Sequence, residues 1–182
     1  MRLLRTDTEN GIRLESFDDP TRIPRYAILS HRWRDNEVLY MDIISPGPNE
    51  GERFSKLLGA CAVALKNGFK YVWIDTCCID QKSSAELSES INSMFMWYKE
   101  SAVCFAYLYD VEGDDDAQSE DSAFRKSAWF TRGWTLQELI APRTVVFLTK
   151  TWEVIGTKHA LAGIIEDVTR IEYGIQIGRA HV

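Results

Sequence analysis

Three stretches of this chain are continuous apolar runs instead of apolar at every second residue: Tyr71-Val-Trp-Ile74 ahead of Asp75, Ala102-Val-Cys-Phe-Ala-Tyr-Leu108, and Val145-Val-Phe-Leu148 within the strand candidate Thr144–Leu148. A strand with two apolar faces must be covered on both, which is the condition of a parallel sheet between helical layers. Arg25-Tyr-Ala-Ile-Leu-Ser30, following Pro24, is a fourth strand candidate. The intervening segments read as helices. Phe54, Leu57, Leu58, Cys61 and Leu65 recur at helical spacing, with Gly68 where a helix C-cap would sit. Ser83-Ser-Ala-Glu86 has the form of a capping box and opens a helix striped with Leu87, Ile91, Met94, Phe95 and Tyr98. Trp134 to Ile140 reads as a short helix stopped by Pro142, and Ala160 to Arg170 as a last helix. The expected fold is therefore α/β, a parallel sheet of about four to five strands with helices on both faces.

Composition sets the frame for function. The 182 residues are one domain's worth of chain, 45% hydrophobic and 26% charged, ordinary for a soluble globular protein. No apolar run approaches the ~20 residues that span a bilayer. The N-terminus has no signal-peptide core, so the cytoplasm is the expected compartment. Net charge is −6, and seven acids between Asp110 and Asp121 account for all of it; the remainder is close to neutral. That run is expected to be a solvated, mobile loop; the pattern of a Ca²⁺ loop is absent from it. No basic stripe supports a nucleic-acid partner. Cys61, Cys77, Cys78 and Cys104 form no CxxC pair and no zinc spacing, and neither do His31, His159 and His181, so no metal site is expected and the thiols are expected reduced and buried. Neither a GxGxxG nor a P-loop occurs.

In a doubly wound sheet, ligands bind beyond the carboxyl ends of the strands. Ser30-His31-Arg32-Trp33, Asp75 through Asp80, and Asp110 fall there. His31 fits equally a hydrogen-bonded strand end and a polar group at the mouth of a ligand crevice. Asp75 closes an apolar strand, and its carboxylate requires solvent or hydrogen-bond donors; accepting from the backbone of the following loop satisfies it as well as a catalytic role does. Trp134 and Glu138 are one helical turn apart on one face. Their pairing is either a partly apolar pocket holding one acid or a surface glutamate beside a tryptophan. Arg132 is open to an ion pair or to a phosphate.

Tyr26-Ala-Ile-Leu-Ser-His-Arg-Trp33, Tyr71-Val-Trp-Ile-Asp-Thr-Cys-Cys-Ile-Asp-Gln81, Ala85-Glu-Leu-Ser-Glu-Ser-Ile-Asn-Ser-Met-Phe95 and Trp129-Phe-Thr-Arg-Gly-Trp-Thr-Leu-Gln-Glu-Leu-Ile-Ala-Pro142 resemble the heterokaryon incompatibility (HET) domain of filamentous fungi. Arg32 departs from the family, which usually carries a small residue there, and the pattern is lost after Thr169. The resemblance implies a HET domain over 1–176, truncated at its C-terminus. Residues Ile177-Gly-Arg-Ala-His-Val182 are what a sequencing-adaptor oligonucleotide encodes in one frame, and are set aside as a scar; genomic sequence across Gln176 tests this.

HET domains trigger programmed cell death when genetically different fungal cells fuse, and they are similar to TIR signalling domains, so the resemblance implies a flavodoxin/TIR-like form of the parallel sheet. In enzymatic TIR domains a glutamate in a Trp-Cys-Leu-x-Glu-Leu motif supports cleavage of NAD⁺. Trp134-Thr-Leu-Gln-Glu-Leu139 is similar, with Thr135 in place of the cysteine and Glu138 in the glutamate's place. The resemblance thus implies NAD⁺ as a substrate and no cofactor. Glu138 would stabilise the ribose cation, Trp33 or Trp134 would stack on a ring, Arg32 or Arg132 would face the pyrophosphate, and His31 and Asp75 would line the crevice. It equally implies a non-enzymatic module that self-associates or meets a sensing or oligomerising partner.

Overall fold

The computed structural model describes residues 1–45 and 51–171. The end of the expected HET domain at 176 and the scar at 177–182 lie outside the described residues. Contacts group the chain into two compact units, Met1–Leu29 with Trp33–Met94, and Ser30–Arg32 with Phe95–Val182.

The first unit carries β1 (Arg2–Arg5), β2 (Leu14–Ser16), β3 (Ala27–His31, whose last two residues group with the second unit), α1 (Tyr40–Ile44), α2 (Ser55–Lys66), β4 (Tyr71–Trp73), α3 (Asp75–Cys78) and most of α4 (Ser84–Glu100). All five residues of β3 are buried, as expected of a strand covered on both faces. β3 runs parallel to β4, with Ala27 opposite Val72 and Ile28 opposite Trp73. On the other side of β4, β1 pairs antiparallel, Leu4 opposite Val72, and β2 pairs antiparallel with β1. Helix α2 ends as the sequence requires. Gly68 takes φ +80°, its N–H donates to Leu65 O at 2.9 Å, and the Phe69 N–H reaches Ala64 O at 3.0 Å. These two bonds form a Schellman motif that only a residue tolerant of positive φ closes without strain.

The second unit carries β5 (Val103–Tyr107), α5 (Ala123–Lys126), a 3₁₀ turn at Ala128–Thr131, α6 (Thr135–Ile140), β6 (Val145–Leu148), β7 (Val154–Thr157) and α7 (Ala162–Thr169). β5 and β6 are parallel over four residue pairs, Cys104 to Tyr107 against Val145 to Leu148. β7 pairs antiparallel with β6. A Cβ at its Gly156 would lie 3.0 Å from the Leu161 side chain, tighter than ordinary contact, so the leucine would have to shift to admit one. Phe124, Trp129, Phe130 and Phe147 meet edge-on or tilted, with centroids 5.0–6.1 Å apart, as the core of this unit.

The strand order is β2-β1-β4-β3-β5-β6-β7, a mixed seven-stranded sheet in an α/β fold. Its central four, β4-β3-β5-β6, follow the 2-1-3-4 order of doubly wound sheets. The class is the one expected, and the sheet is longer by two to three strands and mixed instead of wholly parallel. β1 and β2 are short, and β7 has a glycine inside and no fully buried residue, so none carries the continuous apolar run that marks a buried strand.

Local corrections follow the same logic. β4 stops at Trp73, because the Cys78 N–H reaches back to Ile74 O at 2.9 Å and winds Asp75 into α3. Ser83 Oγ caps the Glu86 N–H at 3.3 Å, but the Glu86 carboxylate accepts from the Asp80 N–H at 2.9 Å and pairs with Arg2, so only half of the capping box forms. Along the α4 stripe, Tyr98 is buried while Ile91 and Phe95 are exposed. The acidic segment is folded by its own carboxylates. Asp110 accepts from the Ser127 hydroxyl and the Ala128 N–H, both at 2.7 Å, and Asp115 accepts from the Ala123 and Phe124 N–H groups. The four cysteines are free and buried. Among the described residues no helix is long and apolar enough to cross a membrane, and no three His, Cys, Asp or Glu residues converge as metal ligands.

Candidate functional site

Ser30 is the fourth residue of β3, where the strand approaches its carboxyl end. Its hydroxyl donates to Glu138 Oε2 at 2.6 Å and accepts from Trp129 Nε1 at 2.7 Å. The same carboxylate receives the Arg132 guanidinium as a fork, Nη1 to Oε2 and Nη2 to Oε1, both at 3.2 Å. Charge-assisted bidentate geometry of this kind is among the stronger polar contacts proteins make. Glu138 is 2% exposed. The chain thus encloses a relay of donors, indole to hydroxyl to carboxylate, closed by a guanidinium.

The local sequence explains how residues distant in the chain meet. Ser127 caps the 3₁₀ turn through the Trp129 N–H, and Asp110 holds Ser127 and Ala128 from below. Thr135 Oγ1 donates to Trp129 O at 2.6 Å and ties the turn to α6. Helix α6 then presents Thr135, Glu138 and Leu139 on its buried side. The i, i+3 offset from Thr135 to Glu138 keeps both on one face.

A model of the family described as heterokaryon incompatibility protein (HET) matches residues 26–121, from the start of β3 through the acidic segment. The chain belongs to the HET family. It is also 46% identical to vegetative incompatibility protein HET-E-1 of Podospora anserina, over 94% of this chain and 13% of that protein. The chain therefore spans a small part of that relative's length. No solved structure matches it.

Within this HET domain the singled-out residues fall into two groups. In the second unit, Glu138 and Arg132 pair directly, His31 ends β3 fully buried at 1% exposure, Arg32 is exposed with its guanidinium 3.4 Å from Ala128 O, and Trp134 is half-exposed at the N-cap of α6. In the first unit, Trp33 and Asp75 meet: the exposed indole donates to Asp75 Oδ2 at 2.7 Å. Asp75 is thus held by a side chain as well as standing at the start of α3.

Two buried residues, one in the cluster and one at the end of α6, carried no separate signal. Trp129 is one of six tryptophans, and nothing in its spacing distinguishes it as the partner of Ser30. Lys158 follows β7 and is 3% exposed; its Nζ donates to Leu139 O at 3.0 Å and Pro142 O at 2.6 Å. It supplies a cation to carbonyls at the C-terminal end of α6, which lack partners within the helix. Burial pushes its ammonium down to about 8. Burial also raises the Cys104 thiol well above its usual range, with the nearby Glu138 charge acting in the same direction.

The lysine yields a pH prediction. Its folded pKa lies below the unfolded value of 10.5, so between about pH 8 and 10.5 the unfolded chain binds more protons. Its contribution to stability therefore rises across that window, by up to about 3 kcal/mol. Buried thiols act oppositely, Cys61 being pushed up to about 12. The comparison is therefore wild type minus Lys158→Met, by urea unfolding in steps from pH 7.5 to 10.5, as rough bounds of the titration. The difference should grow with pH; a flat difference would mean the amine is already neutral or solvated.

Proposed function

We propose that this HET domain is a cell-death module of a fungal non-self recognition system, acting in the cytoplasm, and that it works by protein association. The observation that carries the association reading is the state of Glu138. A carboxylate that stabilises a ribose cation needs an oxygen turned toward the ligand. Here Ser30 and the Arg132 fork engage both oxygens, and the group is 2% exposed. Release of Arg132 would have to precede any contact with substrate.

A second reading, hydrolysis of NAD⁺ at the nicotinamide–ribose bond, draws support from the location of the cluster. Glu138 joins the carboxyl-end region of β3, where doubly wound folds bind nucleotides, and Trp134 stands half-exposed one turn away. In that reading Arg32 or Arg132 meets the pyrophosphate and NAD⁺ is substrate, with no cofactor. Expression of the chain in fungal cells separates the two. Growth arrest with cellular NAD⁺ unchanged supports association. Nicotinamide release by the purified chain, abolished in a folded Glu138→Gln variant, would replace it with hydrolysis.

A further inference from the structure

We propose that a groove at the amino ends of β3 and β4 receives the acidic segment of a second copy of this chain. The inference deepens the association reading and rests on it.

The groove has a volume of about 230 Å³ and is lined by Pro24, Arg25, Gly68, Phe69, Lys70 and Tyr71. Its charge is positive and uncompensated. Arg25 lies over the Phe69 ring, 5.0 Å from the centroid, and among the described residues neither Arg25 nor Lys70 forms an ion pair. Asp7 is engaged by Arg5, and Glu15 by Arg5 and by the hydroxyl of Tyr71, itself a lining residue, so neither carboxylate pairs with Arg25 or Lys70. Gly68 keeps the floor open, with nothing within 4 Å of the position a Cβ would occupy. The volume is below the roughly 300 Å³ at which small-molecule pockets begin. It suits one or two acidic side chains better than a whole nucleotide.

The complementary surface is on the same molecule. All of the chain's charge excess lies between Asp110 and Asp121. Glu112 pairs with Lys150 and Asp121 with Lys126, whereas Asp114, Asp116 and Glu120 are exposed with no ion pair among the described residues. Asp110 and Asp115 anchor the segment to the backbone of residues 123, 124 and 128, so little ordering cost remains on binding. A groove meeting a different patch is a head-to-tail contact, which repeats into a ring or an open chain of copies.

The test is sedimentation of the 182-residue chain at about 50 mM and about 500 mM NaCl, which bracket weak and strong screening. Wild type should associate at low salt and dissociate at high salt. Arg25→Glu/Lys70→Glu and Asp114→Lys/Asp116→Lys/Glu120→Lys change exposed side chains, and circular dichroism checks that both fold. Each alone should associate at least roughly tenfold more weakly. An equimolar mixture should associate again, because each groove then meets a loop of opposite charge. If wild type associates but the reversals do not weaken it, or the mixture does not recover, this surface is wrong and association stands on another. A wild-type chain that stays monomeric yet kills on expression overturns both. Inorganic phosphate bound through Arg25 and Lys70 by a chain that never associates would make the groove a small-anion site instead.

Discussion

Arg132→Met should destabilise the domain by about 3–5 kcal/mol, since it strands a buried carboxylate without its counter-ion. That is a large part of the roughly 5–15 kcal/mol that holds an ordinary domain together. Glu138 is 2% exposed, so water cannot take over from the guanidinium without a local opening. Glu138→Met should cost less, because the Arg132 side chain is 18% exposed and can turn its charge outward. The double variant Arg132→Met/Glu138→Met removes both charges and should be more stable than Arg132→Met alone, leaving Ser30 and the Trp129 indole to each other. Urea unfolding of the four proteins closes a double-mutant cycle. Additive losses would mean that the fork is not formed in solution and that Glu138 is available to a ligand, which would restore the hydrolase reading.

Trp129→Ala should cost a similar about 3–5 kcal/mol, through the cavity left among Phe124, Phe130 and Phe147. Trp129→Phe separates the two contributions of the indole. It keeps an aromatic ring in the cluster but removes the Nε1 donor to Ser30 together with part of the indole's volume, and should cost less than Trp129→Ala. Equal losses in the two variants would make the hydrogen bond, and not the ring, the principal contribution. Both can be read from denaturant midpoints at an unchanged slope.

These two experiments bear on what the long Trp129–Pro142 motif does. Its residues converge on a buried relay: Trp129 and Arg132 approach from the 3₁₀ turn and the residue after it, Glu138 from α6, and Ser30 from β3. The motif accordingly holds Ser30 at the end of β3, the turn and α6 together inside the second unit. An exposed Trp134 and an exposed Arg32 remain on the surface of the same unit. They are the natural positions to scan for a partner, as aromatic and arginine side chains dominate the energetic centres of interfaces.

The amino-acid sequence alone determined the α/β class, four of the strands, the approximate helices and the HET family. Those conclusions rest on local regularities: continuous apolar runs, a helical period, a glycine just beyond a helix end, and long motifs. The tertiary structure decided everything that depends on distance through space. It showed that Arg2-Leu-Leu-Arg5 is a strand, because its two leucines are buried against a partner rather than set in a long apolar run. It turned the acidic segment into a folded loop, since the backbone donors that Asp110 and Asp115 satisfy lie 8 to 18 residues further along the chain. It closed Glu138 inside a fork from Arg132, whereas helical spacing had put Trp134 at its side. Periodicity reports which face of an element is apolar, but not which donor a carboxylate finds; that is set by where β3 ends and where the chain returns after Asp110.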